Sequence, residues 1–114
     1  IKSLIPYNAH QLLVADRYGL SLFDGKTLQT FTGSSASALQ HHTVSHGIRL
    51  SQDILLITTR DNGCYFIRNN GDLLKHINID NGLQSNDIHY AYQDHYGDLW
   101  LALDNGIAYL EINT

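Results

Sequence analysis

The fold is decided by three stretches of sequence that align on a glycine: LLVADRYGLSLFD at 12–24, LITTRDNGCYFIR at 56–68 and LWLALDNGIAYLE at 99–111. The shared glycines are Gly19, Gly63 and Gly106, which stand 44 residues apart (19 to 63) and 43 residues apart (63 to 106). A repeat of this length is typical of helical arrays or of four-stranded propeller blades.

Each of the three stretches has the pattern of two short strands joined by a tight turn. The turns at 61–63 and 104–106 carry an Asn-Gly pair, which tolerates the positive φ angles of hairpin turns. Further Gly/Asx clusters separate the remaining apolar runs, and no window of a dozen residues shows sustained helical spacing. The sequence therefore predicts an all-β chain.

Each repeat contains up to four candidate strands, and four short antiparallel strands in about 43 residues make a propeller blade. We predict a β-propeller fragment of about three blades, at 1–40, 41–84 and 85–114, the last lacking its outer strand. Pro6 removes a donor from the first strand and predicts an irregular or one-sided strand there. The predicted strands are 2–7, 11–15, 20–24 and 28–32, then 44–50, 54–59, 64–68 and 73–79, then 88–93, 98–103 and 107–113.

Composition excludes several classes of protein. With 43% hydrophobic residues and a net charge of −4 among 114 residues, the chain is predicted to be ordered. Lys plus Arg number 7 against 11 Asp plus Glu, so a basic nucleic-acid surface is not expected. No apolar run approaches a membrane span, and one cysteine excludes an internal disulfide. Because the chain starts at Ile1 and lacks methionine, we expect it to be an excised piece of a longer propeller.

Residues 81–112, NGLQSNDIHYAYQDHYGDLWLALDNGIAYLEI, resemble the repeat of the two-component regulator propeller family. The first two repeats fit this pattern more loosely, since Leu13 and Ile57 stand where the tryptophan is expected and the D-x-x-G turn is missing. The positions that match are Asn81, Gly82, Leu83, Ser85, Asn86, Asp94, Gly97, Leu99, Trp100, Ala102 and Gly106.

The resemblance implies a sensory propeller. Such propellers are extracytoplasmic (periplasmic) input modules of sensor histidine kinases, hybrid two-component proteins or cyclic-dinucleotide synthases. The chain is then expected to be non-catalytic. The low charge and the single cysteine fit an extracytoplasmic location, but they suit the cytoplasm equally. The alternatives are a piece of a propeller enzyme, a hydrolase or lyase, or a carbohydrate-binding propeller.

The matched residues are interpreted as a scaffold signature rather than a catalytic one. Trp100 is expected to pack between adjacent blades, Asp94 to close its own turn, and Asn86 to satisfy backbone groups where one blade leads to the next. The scaffold set is Asn81, Gly82, Asn86, Asp94, Gly97, Trp100, Gly106, Gly19 and Gly63.

No residues are predicted to be catalytic or to bind a metal or cofactor. The run HHTVSH at 41–46 lacks nearby carboxylates and is interpreted as a solvated loop, against the alternative of a metal site. Cys64 follows a hairpin glycine in an apolar strand and is predicted to be buried rather than nucleophilic. The run GSSASAL at 33–39 is interpreted as a flexible connection between blades.

The candidate ligand-binding residues are Tyr90, Tyr92 and His95. Tyr90 and Tyr92 share one face of a first strand, which lines the central channel of a propeller, and tyrosine stacks well on sugars. Core or inter-blade packing is the alternative role. The expected ligand is a small molecule or a carbohydrate. The expected protein partners are the remaining blades of the propeller or other copies of the chain in a homo-oligomer, because about three blades cannot close a ring.

Overall fold

The structure is a computed structural model that describes residues 1–112, and it confirms an all-β chain. Three antiparallel sheets follow one another along the chain, and within each sheet every strand pairs with its sequence neighbours. The first sheet contains β1 Ser3–Asn8, β2 Gln11–Asp16, β3 Gly19–Phe23 and β4 Leu28–Thr30. The second contains β5 Val44–Arg49, β6 Ile54–Thr59, β7 Cys64–Arg68 and β8 Leu73–Ile77. The third contains β9 Ile88–Gln93, β10 Leu99–Leu103 and β11 Gly106–Leu110.

The second sheet lies between the other two and is covered on both faces. One apolar core fills the space between the first and second sheets, and its members include Leu13, Leu55 and Ile57. A second core lies between the second and third sheets and includes Leu56 and Leu101. Because both faces of the middle sheet are buried, β6 is an unbroken apolar and threonine run, ILLITT, rather than an alternating one.

The three sheets repeat one another at the level of single strand pairs. In the strand pairs β1–β2, β5–β6 and β9–β10, Ser3 faces Ala15, His46 faces Thr58 and Tyr90 faces Ala102. We call the side of a sheet that carries these residues its forward face, because in the first two sheets that side packs on the next sheet. The opposite side is called the backward face.

The residue that matches Trp100 on the forward face of the second sheet is Leu56, and not Ile57 as the glycine alignment predicts. Leu56 pairs with Phe66 across β7 just as Trp100 pairs with Tyr109 across β11. Ile57 lies on the backward face, in the core shared with the first sheet. The hairpin between β6 and β7 is longer than those between β2 and β3 and between β10 and β11. The register of β6 relative to the shared glycine is therefore shifted by one residue.

The segment 33–39 is a short helix, α1 Ser34–Leu39, and not the flexible connection predicted from its composition. The backbone N–H of Ser35 donates to the carbonyl of Gly71 at 3.0 Å, and the N–H of Leu73 donates to Ser34 Oγ at 2.7 Å. Leu39 anchors the other end of the helix in the first core. The helix is therefore fixed by the turn between β7 and β8.

Strand boundaries follow the predicted ones closely. The predicted strand 28–32 ends at Thr30. The predicted strand 73–79 ends at Ile77, and a 3₁₀ turn, Ile79–Asn81, follows it. Pro6 lies in an edge strand beside a register shift, as predicted for a proline. The strand predicted at 107–113 spans Gly106–Leu110, and its last predicted residue, like residue 114, falls outside the described part of the chain.

Neither helix among residues 1–112 is long and apolar enough to cross a membrane.

Candidate ligand-binding surface

One edge of the structure, called the inner edge below, is formed by β1, β5 and β9, the edge strands with which the three sheets begin. β5 lies beside both β1 and β9. On this edge the ring of Tyr90 in β9 stacks on the imidazole of His46 in β5, with centroids 4.1 Å apart and an interplanar angle of 19°. The pair joins two sheets, and its tyrosine ring remains largely exposed.

His46 is held in a defined orientation by the neighbouring strand. The backbone N–H of Ala91 donates to His46 Nδ1 at 3.1 Å, so neutral His46 carries its proton on Nε2. One sheet earlier, the N–H of Gly47 donates to Ser3 Oγ at 2.9 Å in the same relative position. The sequence interpretation of 41–46 as a solvated loop is therefore wrong for His46, which lies half-buried in β5 because a bulge after Val44 turns it towards the third sheet.

Burial lowers the pKa of His46 below its ordinary value of 6.5, and this predicts a pH-dependent stability. Above the unfolded value both states are neutral. As the pH falls below it, the unfolded state binds a proton first, so stability falls until the pH passes the lower folded pKa. The slope due to one group stays below about 1.4 kcal/mol per pH unit.

The measurement is the urea midpoint between pH 7.5 and 5 for the wild type and His46→Asn, whose amide oxygen lies where Nδ1 does and can still accept from Ala91. The variant keeps the other six histidines, so the difference between the two profiles isolates His46. We expect a flatter profile for the variant, and parallel profiles would contradict the assignment.

The forward face of the third sheet is an aromatic surface. Tyr92, Trp100 and Tyr109 stand opposite one another across β9, β10 and β11, and all three are exposed. Trp100 Nε1 donates to Asp94 Oδ2 at 3.0 Å, and the Tyr109 hydroxyl donates to Asp98 Oδ2 at 2.7 Å. The predicted burial of Trp100 between blades is not observed within residues 1–112, where 42% of the residue is exposed, because no further sheet covers this face.

The two carboxylates fix these rings electrostatically. The hydrogen bond from Trp100 lowers the pKa of Asp94, while the bond to Asp98 raises the pKa of Tyr109 to about 12. Asp94 also accepts the backbone N–H groups of Tyr96 and Asp98 at 2.9 and 3.0 Å, which closes the turn between β9 and β10. Both aromatic side chains are thus held in place on an exposed face.

The predicted ligand residues are only partly brought together. Tyr90 and Tyr92 share the forward face of β9, whereas His95 lies in the turn after β9 with its ring against Tyr96, at a centroid distance of 4.0 Å. The residue that sequence reasoning missed is His46. A signal for it existed, since His46 and Tyr90 are separated by the repeat offset of 44 (46 to 90).

The polar scaffold residues of the repeat lie in connections between strands. Asn86 Oδ1 accepts the N–H of Ile79 at 2.9 Å, and Asn81 Oδ1 accepts that of Asn78 at 2.7 Å. The glycines Gly19, Gly63, Gly82, Gly97 and Gly106 all have positive φ angles, which other residues rarely adopt.

Three residues of types that can bind metal ions lie together at the start of β9, the end opposite to His95. Asp87, His89 and Asp104 place one ligand atom each within 4.8 Å of one another, a convergence that sequence reasoning did not foresee. Arg60 Nε donates to Asp87 Oδ1 at 2.5 Å and Arg60 also contacts the second oxygen at 3.3 Å. The guanidinium lowers the pKa of Asp87 and already balances its charge.

Two further features bear on chemistry. Cys64 is fully buried, as predicted, and burial raises the pKa of its thiol to about 12, so it is a thiol at neutral pH. A surface cavity of about 350 Å³ opens between β3 and α1, lined by Tyr18, Leu20, Phe31 and Leu39 among others. It lies on the first sheet, away from Tyr90 and His46.

No protein-family model matches the chain, and no curated protein matches it either.

Proposed function

We propose that the chain is a non-catalytic segment of a sensory β-propeller, serving the extracytoplasmic input module of a signal-transduction protein. The arrangement of the sheets supports this proposal. Three successive antiparallel sheets repeat the same strand order and stack face to face, with their first strands side by side along one edge. Blades of a propeller are arranged in this way around a central channel.

The ligand site of this segment is the inner edge around His46, Tyr90 and Tyr92. The stacked His46–Tyr90 pair is the single observation that carries the assignment, because it places an exposed aromatic face and polar atoms on two different sheets at once. A phenol hydroxyl and an imidazole N–H beside aromatic rings suit a carbohydrate ring, which presents both C–H faces and hydroxyls. A carbohydrate-binding propeller is thus the second candidate that the same pair favours.

Signalling through this site requires a ligand whose affinity differs between two relative arrangements of the sheets. A ligand held by both His46 and Tyr90 contacts β5 and β9 together, so it favours the placement in which the two strands lie at their observed separation. The sheets joined by this pair are the parts of the segment that would transmit the change.

The experiment is a titration of the ¹⁵N-labelled chain with oligosaccharides of glucose, galactose, xylose and arabinose, followed by amide shifts. We expect shifts centred on His46, Tyr90 and Ala91 for one member of the panel, and at least a tenfold weaker affinity in Tyr90→Ser. Tyr18→Ser is the matched control, since Tyr18 is also exposed but lies in a turn of the first sheet. Shifts confined to the cavity beside α1, or no shifts at all, would contradict the site.

A further inference from the structure

Asparagine stands directly before glycine at four places in the chain. The asparagine amide is chemically labile, and a following glycine makes it more so, because no Cβ keeps the glycine backbone nitrogen away from the amide carbon. The four pairs are Asn62-Gly63, Asn70-Gly71, Asn81-Gly82 and Asn105-Gly106. Since the two residues are the same in every pair, the surroundings of each pair decide which of them reacts in the folded chain.

We infer that Asn105 is a modification site, where the folded chain converts asparagine to a mixture of aspartate and isoaspartate. The backbone nitrogen of Gly106 bonds to Asn105 Cγ, the Cγ–Nδ2 bond breaks, and ammonia leaves with the proton that the backbone nitrogen gives up. Water then opens the resulting ring. Attack on the side-chain carbonyl gives aspartate, whereas attack on the backbone carbonyl gives isoaspartate, in which the main chain runs through the side chain. Nothing is oxidised or reduced, and water is the co-reactant.

At Asn62 both reacting groups are held in place by hydrogen bonds. The amide Nδ2 donates to the Tyr65 hydroxyl at 2.6 Å, and the amide oxygen accepts from Asn78 Nδ2 at 3.3 Å. The N–H of the buried Gly63 donates to the carbonyl of Asn86 at 2.9 Å. The amide and the backbone nitrogen would have to leave these partners before they could meet, so we expect slow reaction here.

At Asn70 the glycine is the protected partner. Gly71 is buried, and its N–H donates to the carbonyl of Arg68 at 2.8 Å. The Asn70 side-chain oxygen also accepts the N–H of Asp72 at 2.9 Å. Because the turn packs too closely for even a Cβ at Gly71, the nitrogen has no room to move towards the amide.

At Asn81 the side chain is the protected partner. Gly82 is exposed, but both ends of the Asn81 amide bond to residues that precede the 3₁₀ turn. Its oxygen accepts the N–H of Asn78 at 2.7 Å, and its nitrogen donates to the carbonyl of His76 at 2.9 Å. The amide is thereby kept from turning towards the glycine nitrogen.

Asn105 differs from the other three in both respects. Asn105 and Gly106 are exposed, and within residues 1–112 the Asn105 side chain makes no hydrogen bond. Gly106 pairs with Leu103 at the very end of the β10–β11 ladder, and among the described strands β11 has one neighbour, β10. Such ladder ends open locally at low cost in free energy. A Cβ added at Gly106 would have Gln84 Oε1, at 3.8 Å, as its one described neighbour within 4 Å, so there is room for the ring.

The modification changes both the charge and the backbone of this hairpin. It adds a carboxylate beside Asp104, whose Oδ1 lies 3.7 Å from His89 Nε2. Isoaspartate also adds one carbon atom to the main chain at the turn that fixes the register of Trp100 against Tyr109. The product is therefore a more acidic form of the chain, which ion-exchange chromatography separates.

The experiment follows all four pairs in the same chain at pH 8.5 and 37 °C, in buffer and in guanidinium chloride. Samples are digested, and fragmentation in the mass spectrometer locates each conversion of amide to acid and distinguishes isoaspartate from aspartate. In buffer we expect Asn105 to react at least tenfold faster than any of the other three. In denaturant, where the contacts are lost, we expect all four rates to agree within a few-fold.

The control variant is Asn105→Gln, which would have to close a larger ring and should delay the acidic form at least tenfold. A lead of less than tenfold for Asn105 in buffer overturns the inference, as does an earlier conversion at any of the other three pairs. So does an acidic form that appears in the variant as fast as in the wild type. None of these outcomes depends on whether the chain binds an oligosaccharide.

Discussion

Replacing Gly71 by alanine is expected to lower the free energy of unfolding by about 3–5 kcal/mol. Gly71 has a φ of 99° in the turn between β7 and β8. A Cβ at this position would overlap the carbonyl of Thr32 and approach Gly33, so the substitution adds a steric clash to backbone strain. The carbonyl of Gly71 also accepts the bonds that hold α1, which means that the clash would displace the helix. Urea unfolding followed by circular dichroism measures the loss.

Gly25→Ala is the matched control for this substitution. Gly25 has the same φ of 99°, but an added Cβ there meets nothing within 4 Å. Its expected cost is the strain alone, about 1–2 kcal/mol. The difference between the two variants therefore measures how tightly the segment before α1 packs on the turn. Equal losses would show that this packing is much looser than the structure describes.

Local patterns were sufficient to predict the strands and the repeat. Strand alternation and Asn-Gly turns depend on residues within a few positions of one another. The eleven strands that the structure describes within residues 1–112 therefore begin and end within a few residues of those predicted. The helix at 34–39 could not be predicted in this way. It is six residues long, and its contacts are with Gly71 and Asp72, more than thirty residues away.

The candidate site was predicted only in part, and the reason is a backbone irregularity. Period-two alternation correctly places Tyr90 and Tyr92 on one face of β9. In β5 the pairing shifts register between Val44 and His46, as it does between Ile88 and Tyr90 in β9, and this single extra residue directs His46 towards the third sheet. A bulge leaves little trace in residue composition. Composition therefore predicts a loop for the histidine run, although the repeat offset of 44 aligns His46 with Tyr90.

Trp100 shows how the surroundings of a sheet decide burial. The two residues that match it, Leu13 and Leu56, are fully buried because another sheet covers their forward faces. Trp100 occupies the same place in the third sheet and remains half-exposed. Sequence identifies the place in the repeat, whereas burial depends on whether a partner sheet is present.

Replacing Leu101 by alanine is expected to lower the free energy of unfolding by about 3 kcal/mol, within the range of 2–5 kcal/mol that buried leucines show. Leu101 is fully buried in the core that joins the second and third sheets. The substitution removes three carbon atoms from a space that strands on both sides hold rigidly, so a cavity remains. Thermal or urea unfolding by circular dichroism gives the change, and Trp100 fluorescence follows the third sheet separately.

Leu28→Ala is the matched control, because Leu28 is 65% exposed in the edge strand β4 and should change stability by no more than about 0.5 kcal/mol. Comparing the two signals then tests how the sheets depend on one another. If the core couples the second and third sheets, the unfolding transitions followed by circular dichroism and by Trp100 fluorescence shift together in Leu101→Ala. If only the fluorescence transition moves, the third sheet unfolds alone, and the shared core between these sheets contributes little to the rest of the chain.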